Sequence, residues 1–597
     1  MVYLFGKIVD KYLPSNPSNL CMFMKKIILS SILVSFVCGS QAQSSLDKRF
    51  EDFKNRFMAS YWKMNPLSAT QAGFHKYDNS LPIPNETTFG KQKNFAHNYF
   101  DSLITYTQDK LNENNKIDYL IIENQLNKIP WSLDVAKEYV WNPANYNITE
   151  SFAYILNEPF DKLNNRLVNI LTKLKSVDEF YEAAKKNILN PVPELTKLAI
   201  EQINSGLSVF EKDLPDSINK SSLSKLQKEE LIANNTKAVK AMKEFTAWLT
   251  TWENKPNCRS FRLGKDLYEQ KFAFDIQSSL SVNQLNEAAL KRKDYLHEEM
   301  EKRAQTLWPK YFKETPMPTD RFDLIKMVID TISTQHTTPQ NFQQAIENQL
   351  PKLSAFVTEN NLVTLDPSKP LKVRKEPGYM AGVAGASISA PGPYEKNVST
   401  YYNVGTLEGW SKEKAESYLR EYNDYTLQIL NMHEGIPGHY VQLVYSNKVP
   451  SIVKAVFGNG SMVEGWAVYS ELMMMENGYN DSDEMWLMYY KWNLRTVCNT
   501  ILDISVHTKN MGKDEAMNLL VRQAFQQKAE AEGKWKRVSV SSVQLTSYFN
   551  GFFEILQLSK QYNALLGKKF TAKSFNEKFL SYGSSPVKYI SQLMLTK

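Results

Sequence analysis

Apolar residues recur at threes and fours along most of this chain, which is the periodicity of one helical face. From Leu46 to Met64 the positions Phe50, Phe53, Phe57 and Tyr61 form such a stripe, and "NPLSATQAGFHKYDNSLP" then breaks it with Pro, Gly and Asn. Helical segments of the same kind fill roughly residues 88–255 and 280–350, punctuated by "ILNPVPEL" and "KDLPDS". Between Leu362 and Gly405 the pattern changes. That stretch is rich in Gly, Pro, Ala and Ser, and carries strand-like runs at Leu371–Arg374 and Thr400–Val404. It is the place for a small sheet, with Tyr402 a candidate substrate contact, since an extended peptide can add to a sheet edge; a surface hairpin without a role is the alternative. The fold class expected is mainly α, with a small β-sheet.

From Ser411 the chain reads as helix again. Ser411 is a plausible N-cap with Glu413 in the first turn, and Tyr418, Leu419, Tyr422, Tyr425, Ile429 and Leu430 supply a buried stripe that runs into His433-Glu434. Metal-site helices are expected over about 412–510. No internal repeat or low-complexity linker marks a domain boundary, so residues 43–597 read as one helical domain.

"NMHEGIPGHYVQLVYS", Asn431 to Ser446, sets His433 and His439 six residues apart. Zinc takes imidazole nitrogen and carboxylate oxygen in a tetrahedral shell, and a catalytic zinc keeps one position open. On a regular helix, residues four apart differ by about 40° around the axis, but residues six apart differ by about 120° and cannot share an ion. Pro437 removes an N–H and crowds the preceding turn, and Gly438 accepts almost any backbone angle. The helix is therefore expected to bend across Gly435–Gly438 and return His439 to the face of His433. Glu434 is then placed as a general base rather than a ligand. The third ligand expected is Glu464, in "VEGWAVYSELMMMENG"; Glu471, seven residues on and within about 20° on the same face, would orient a ligand histidine. A His-Glu pair alone means little, as His297-Glu298 in "LHEEME" has no partner histidine; the chain has only 7 histidines, so their clustering here counts.

The helix after Asp481 carries Lys491, Arg495, Asn499, Asp503 and His507 at steps of four among apolar neighbours. Such a stripe is ordinarily a solvent face. If it lines the site instead, Arg495 would hold a substrate carboxylate or a supporting glutamate, and His507, with Asp503 a turn before it, would stabilise an oxyanion. Tyr548, in "QLTSYFNGFFEI", is a core tyrosine by pattern, with a hydroxyl able to donate to an oxyanion.

Composition adds the compartment. The net charge of +7 comes from 71 basic and 64 acidic residues spread along the chain, with no basic block of the kind nucleic acids require. "MKKIILSSILVSFVCGSQAQS", from Met24, has a charged start, an apolar run too short to span a bilayer and small residues before Ala42. It reads as an export signal over residues 1–42, with Met24 the expected start and cleavage after Ala42. Ser35-Phe36-Val37 is a poor lead-in for a lipid anchor at Cys38. No later stretch is apolar enough for a transmembrane helix. The two remaining cysteines, Cys258 and Cys498, would meet an oxidising compartment, but free thiols are the expectation.

"HEGIPGH", "EGWAVYSE" and "SYFNG", in this order, together with "NPLSATQAGFHKYDNSLP", resemble the bacterial family known as domain of unknown function 885, over about residues 46–590. That family looks like zincin metallopeptidases of the glutamate-ligand type. The resemblance implies a multi-helical fold with a small sheet beside a deep cleft, Zn2+ held by His433, His439 and Glu464, Glu434 as base, and roles for Arg495, His507 and Tyr548. Tyr440 departs from the pattern, since the family often has a second histidine there. The function expected is that of an exported zinc-dependent hydrolase acting on a peptide or small amide. A non-peptide amidase or esterase, or a helical binding protein that keeps the pocket without chemistry, are the alternatives.

Overall fold

A computed structural model describes residues 45–252, 255, 258–376, 386–395 and 399–596. The export signal expected over residues 1–42, with Cys38, lies outside them. The described residues are mainly helical, with one sheet of three strands. Among them, no helix is long and apolar enough to cross a membrane.

The helices and strands that bear on the site, in chain order, are α1 (45–64), α2 (Lys225–Thr250), α3 (Val282–Phe312), α4 (Phe342–Glu359), β1 (Leu371–Lys375), β2 (Ala386–Ser389), β3 (Thr400–Val404), α5 (Lys412–Glu421), α6 (Thr426–Glu434), α7 (His439–Ser446), α8 (Gly460–Glu476), α9 (Asp483–Lys509), α10 (Lys528–Val540) and α11 (Ser547–Leu566). Their ends follow from local chemistry. Ser224 and Ser281 each open α2 and α3 with a reciprocal capping box, using Gln227 and Gln284. Asn459 accepts from the Met462 amide at the start of α8, and Gly478, at φ +88°, follows its end.

Two main clusters of buried apolar side chains fill the described residues. One runs from Tyr146 to Leu249 and is closed by α2. The larger unites α1, where Phe50, Phe53 and Phe57 are buried as their spacing predicts, with the helices from α3 to the C-terminus. Within it, α3 packs along α9 and α8 packs along α11. Because α9 is thus enclosed, its residues are buried almost all round.

The sheet has the order β1-β3-β2, with β1 parallel and β2 antiparallel to β3. The strands expected at Leu371–Arg374 and Thr400–Val404 are present. β2 has no sequence signal of its own: "ASIS" is short, and Ala386–Ser389 is held by register with Tyr401–Val404. Central β3 turns Tyr402 inward.

Three expectations need correction. The helix beginning at Ser411 does not run unbroken into His433. It ends at Glu421, and the Asn423 side chain accepts from the Tyr425 and Thr426 amides to start α6 afresh. "KDLPDS" does not interrupt the helical path: a wide turn at Val209–Asp213 passes directly into Leu214–Lys220, with Pro215 in the first turn, where its missing N–H costs nothing. The polar stripe of α9 is not a solvent face, since Lys491, Asn499, Asp503 and His507 are all buried. Cys258 and Cys498 are free thiols, the latter buried.

Candidate metal centre

The bend expected in "HEGIPGH" is present. Helix α6 stops at Glu434 and α7 starts at His439. Across the gap, the Gly438 amide donates to the Met432 carbonyl, six residues back instead of four, at 2.9 Å. Two residues are thereby absorbed. Gly438 is required by contact: a Cβ there would sit 1.9 Å from the His433 carbonyl oxygen. The Ile436–Pro437 peptide bond is cis. The Trp466 indole donates to the Pro437 carbonyl at 3.0 Å, tying the bend to α8.

The two imidazoles converge, with ring centroids 4.7 Å apart and planes nearly perpendicular. Glu464, from α8, places one carboxylate oxygen 3.6 Å from His433 Nε2 and 3.4 Å from His439 Nε2. That oxygen is buried and neither contact is a hydrogen bond. Ligands at ~2.0–2.1 Å from a tetrahedral zinc lie about 3.4 Å from one another. The Glu464 oxygen stands at about that spacing from both imidazole nitrogens, so these residues fit the ion. Glu434 is close by as well: His433, Glu434 and His439 each offer a donor atom within 4.8 Å of the others'.

Glu471 supports the cluster from behind. Fully buried one helical face along from Glu464, its Oε1 lies 2.7 Å from His433 Nδ1 and accepts from the Trp492 indole at 3.0 Å. With Nδ1 engaged, Nε2 is left for an ion. Electrostatics follow the geometry. Burial would lower the His433 pKa, but the carboxylates of Glu464 and Glu471 raise it well above the ordinary value. Burial would raise the Glu464 carboxyl, yet the two imidazoles hold it far below the usual carboxylate range. At Glu434 burial prevails over the pull of His439 and His433, and its carboxyl is pushed up. The centre is reachable, since the Glu464 side chain is 23% exposed and that of His439 12%.

Helix packing makes this convergence possible. Gly465, next to Glu464, and Gly551, three residues after Tyr548, let α8 and α11 meet backbone to backbone. Tyr548 therefore stands beside the histidines, its ring 6.5 Å from that of His433 and nearly parallel to it. Its hydroxyl is beside Arg537 and Gln544.

Several residues singled out by sequence make contacts other than those expected. Tyr402 is fully buried and its hydroxyl donates to Asn431 Oδ1 at 2.8 Å, so it holds α6 against the sheet instead of facing an open cleft. Asn431 in turn donates to Gln349 of α4. His507 is buried far along α9, with Nε2 3.0 Å from the Val538 and Ser541 carbonyls and Nδ1 facing the Leu263 amide. Both of its nitrogens are occupied, and about 22 Å of helix separates it from Trp492; it cannot serve an oxyanion at the histidines. Asp503 accepts from the Tyr268 hydroxyl and the Val543 and Leu545 amides, fixing the turn before α11. Arg495 pairs with Glu530 at 2.8 Å and lies over Trp492, not with the supporting Glu471. Tyr440 donates to the Lys369 carbonyl ahead of β1. Conversely, Trp492, Trp466 and Arg537 escaped the sequence reading; the two tryptophans looked like ordinary apolar core positions, and only their indole N–H groups betray the site.

The model of a family described as bacterial protein of unknown function (DUF885) matches residues 66–594. The chain belongs to this family. A solved structure from Shewanella oneidensis, described as a candidate lipoprotein of unknown function, is 48% identical, with a TM-score of 0.85 over 92% of this chain and 100% of its own. A second, from Colwellia psychrerythraea and likewise described as a candidate lipoprotein, shares the fold at 15% identity, with a TM-score of 0.73 over 92% of this chain and 98% of its own. No curated protein matches the chain.

Proposed function

We propose that this DUF885 protein is an exported zinc-dependent hydrolase, and that it cleaves peptide bonds. One observation carries the reading: a buried Glu464 oxygen, without a hydrogen bond, sits 3.4 and 3.6 Å from the Nε2 atoms of two histidines brought together by a purpose-built bend. In this reading His433, His439 and Glu464 hold the ion, as in glutamate-ligand zincins, and the surrounding helices and sheet are the zincin-like frame of a cleft. Bound there, zinc supplies a Lewis acid that polarises a carbonyl and acidifies water.

The protein's own groups do the rest. Glu434 takes a proton from the attacking water and returns it to the leaving amine, a task helped by the burial that raises its carboxyl pKa. Tyr548 donates its hydroxyl to the oxygen that gains charge as the carbonyl is attacked. Glu471 keeps His433 in one tautomer and one orientation. The exported location expected from Met24–Ala42 accords with the lipoprotein description of the Shewanella protein.

The test is elemental analysis of the purified full chain beside His439→Ala and Glu434→Gln, followed by a peptide panel. About one zinc per chain is expected in the wild type and Glu434→Gln, and none in His439→Ala. Glu434→Gln is expected to lose nearly all turnover. A wild-type protein that neither retains zinc nor gains thermal stability on adding it overturns the proposal and favours a binding protein without chemistry. Cleavage of small amides or esters but no peptides would move it to the non-peptide alternative.

A further inference from the structure

Beside Trp492 and Tyr548, α9 and α10 hold a group of charged side chains that the proposed reaction does not use. Helix α10 contributes Glu530, Lys534 and Arg537 along one face, at helical spacing. Helix α9 contributes Lys491 and Arg495, and α5 ends in Glu421. Arg495 Nη2 lies 2.8 Å from Glu530 Oε1, and Lys534 Nζ lies 3.8 Å from the same oxygen. Lys491 Nζ lies 2.8 Å from Glu421 Oε2. Arg537 is close enough to bias both Glu530 and Lys534.

Among the described residues, four cations here share the carboxylates of Glu421 and Glu530, with Glu376 beyond Tyr418. Buried charges are normally paired, because an unpaired one keeps its full desolvation cost. Two signs show that the shortfall is felt. Arg495 Nη1 is buried and has no hydrogen-bond partner. Burial, reinforced by the positive charge of Arg495, pushes Lys534 down to about 7, and Glu530 does not offset it. The rim is aromatic, made by Tyr418, Tyr422 and Trp492, with Tyr422 and Trp492 rings 6.3 Å apart. Trp492 also joins the two places: its ring carries Arg495 at 5.1 Å, while its indole N–H reaches Glu471. Tyr548 joins them a second time, between His433 and Arg537.

We propose that Arg495, with Lys534 and Arg537 around it, forms an anion subsite beside the metal centre that binds a carboxylate of the substrate. The Arg495 side chain is 18% exposed, with Nη2 on Glu530 and Tyr422 beside it; its unbonded Nη1 can donate to a carboxylate. The substrates are then acidic: peptides held by a free C-terminal carboxylate, or by an Asp or Glu side chain one or two residues from the bond cleaved. This inference rests on the hydrolase reading for the bond that breaks, but the binding step stands apart from it.

The experiment uses the full chain carrying Glu434→Gln, loaded with zinc so that nothing turns over, and measures binding by calorimetry. Three probes are compared: N-acetyl-trialanine with a free carboxylate, its C-terminal amide, and the same amide with a central Glu. At least one carboxylate-bearing probe is expected to bind about tenfold or more tightly than the plain amide. Which one does so tells the C-terminal source from the side-chain source. Arg495→Gln is expected to erase that preference, and Arg495→Lys to restore part of it. Since Arg495→Gln strands Glu530, the double variant Arg495→Gln/Glu530→Gln, checked by its melting curve, is run beside it with the same expected loss. Equal binding of all three probes, or a preference untouched in both variants, overturns the subsite. With Glu434 in place, equal cleavage of the plain amide and the acidic peptides would overturn the subsite and leave the hydrolase standing. A carboxylate preference in a protein that holds no zinc and cleaves nothing would do the reverse.

Discussion

Gly465 on α8 and Gly551 on α11 are in backbone contact: a methyl group on Gly465 would lie 2.3 Å from the Gly551 Cα, and one on Gly551 would lie 1.7 Å from the Ser461 carbonyl oxygen. This contact sets how near Glu464 comes to Tyr548, and the Asn550 amide, donating to Ser461 Oγ at 3.0 Å, locks it. Neither neighbour is the end of a flexible side chain, so a larger residue has to push the helices apart. Gly551→Ala is expected to cost about 1–3 kcal/mol of stability, read from urea melts, and to weaken zinc binding. Gly533→Ala, on α10 with open space around it, should be neutral or slightly stabilising. Equal stability of the two variants would sink the idea that this contact positions the site.

Glu471→Gln tests the support behind His433. The substitution keeps a hydrogen-bond acceptor for Nδ1 but removes the charge that raises the basicity of the ring. Zinc affinity, measured by competition with a chromophoric chelator, is expected to fall roughly 10- to 100-fold. Trp492→Phe, which deletes the other donor to Glu471, should fall less. A Glu471→Gln protein that binds zinc as tightly as wild type would show that Glu471 only fills the core.

Much of this site was legible in the chain because its oddities explain one another. Pro437 and Gly438 make sense only if two imidazoles six residues apart must meet, and Glu464 and Glu471 share a face at a spacing of seven. What escaped was set by tertiary enclosure. Helical periodicity separates the faces of α9 but does not say which of them meets water, and with α3 and α10 packed around it even its stripe of Lys491, Asn499, Asp503 and His507 is interior. Tyr402 alternates correctly for a strand, yet whether its hydroxyl faces a substrate or Asn431 depends on α6 lying beneath the sheet. The N-cap at Asn423, which splits the approach to His433, was masked by the apolar stripe on either side of it.

His507 offers a direct check on the corrected assignment. Its imidazole joins α9 to the end of α10 through the Val538 and Ser541 carbonyls. His507→Ala leaves those carbonyls without a partner in a buried place, at a cost of about 1–3 kcal/mol each way it is counted. A lowered melting temperature is expected, with zinc affinity and turnover per folded molecule within about twofold of wild type. A large loss of turnover in a normally folded His507→Ala protein would return His507 to the reaction.

Lys534 gives the fold a pH signature of its own. Its folded-state pKa is depressed, to about 7, below the ordinary value for a lysine. Above pH ~10.5 the ammonium is deprotonated in folded and unfolded chains alike, and burial costs nothing extra. As pH falls from there, the unfolded chain takes up the proton first, so stability declines until the folded state follows near pH 7, and is level below that. Lys534→Met keeps most of the buried stem and leaves Glu530 with Arg495. It is expected to raise stability most at pH 6, progressively less toward pH 10, and to flatten the profile in between, as read from urea midpoints at each pH. If Lys534→Met is no more stable than wild type at pH 6, or gains most at pH 10, then the surroundings do not disfavour the charge of Lys534, and the surplus of positive charge inferred around Arg495 loses one of its two supports.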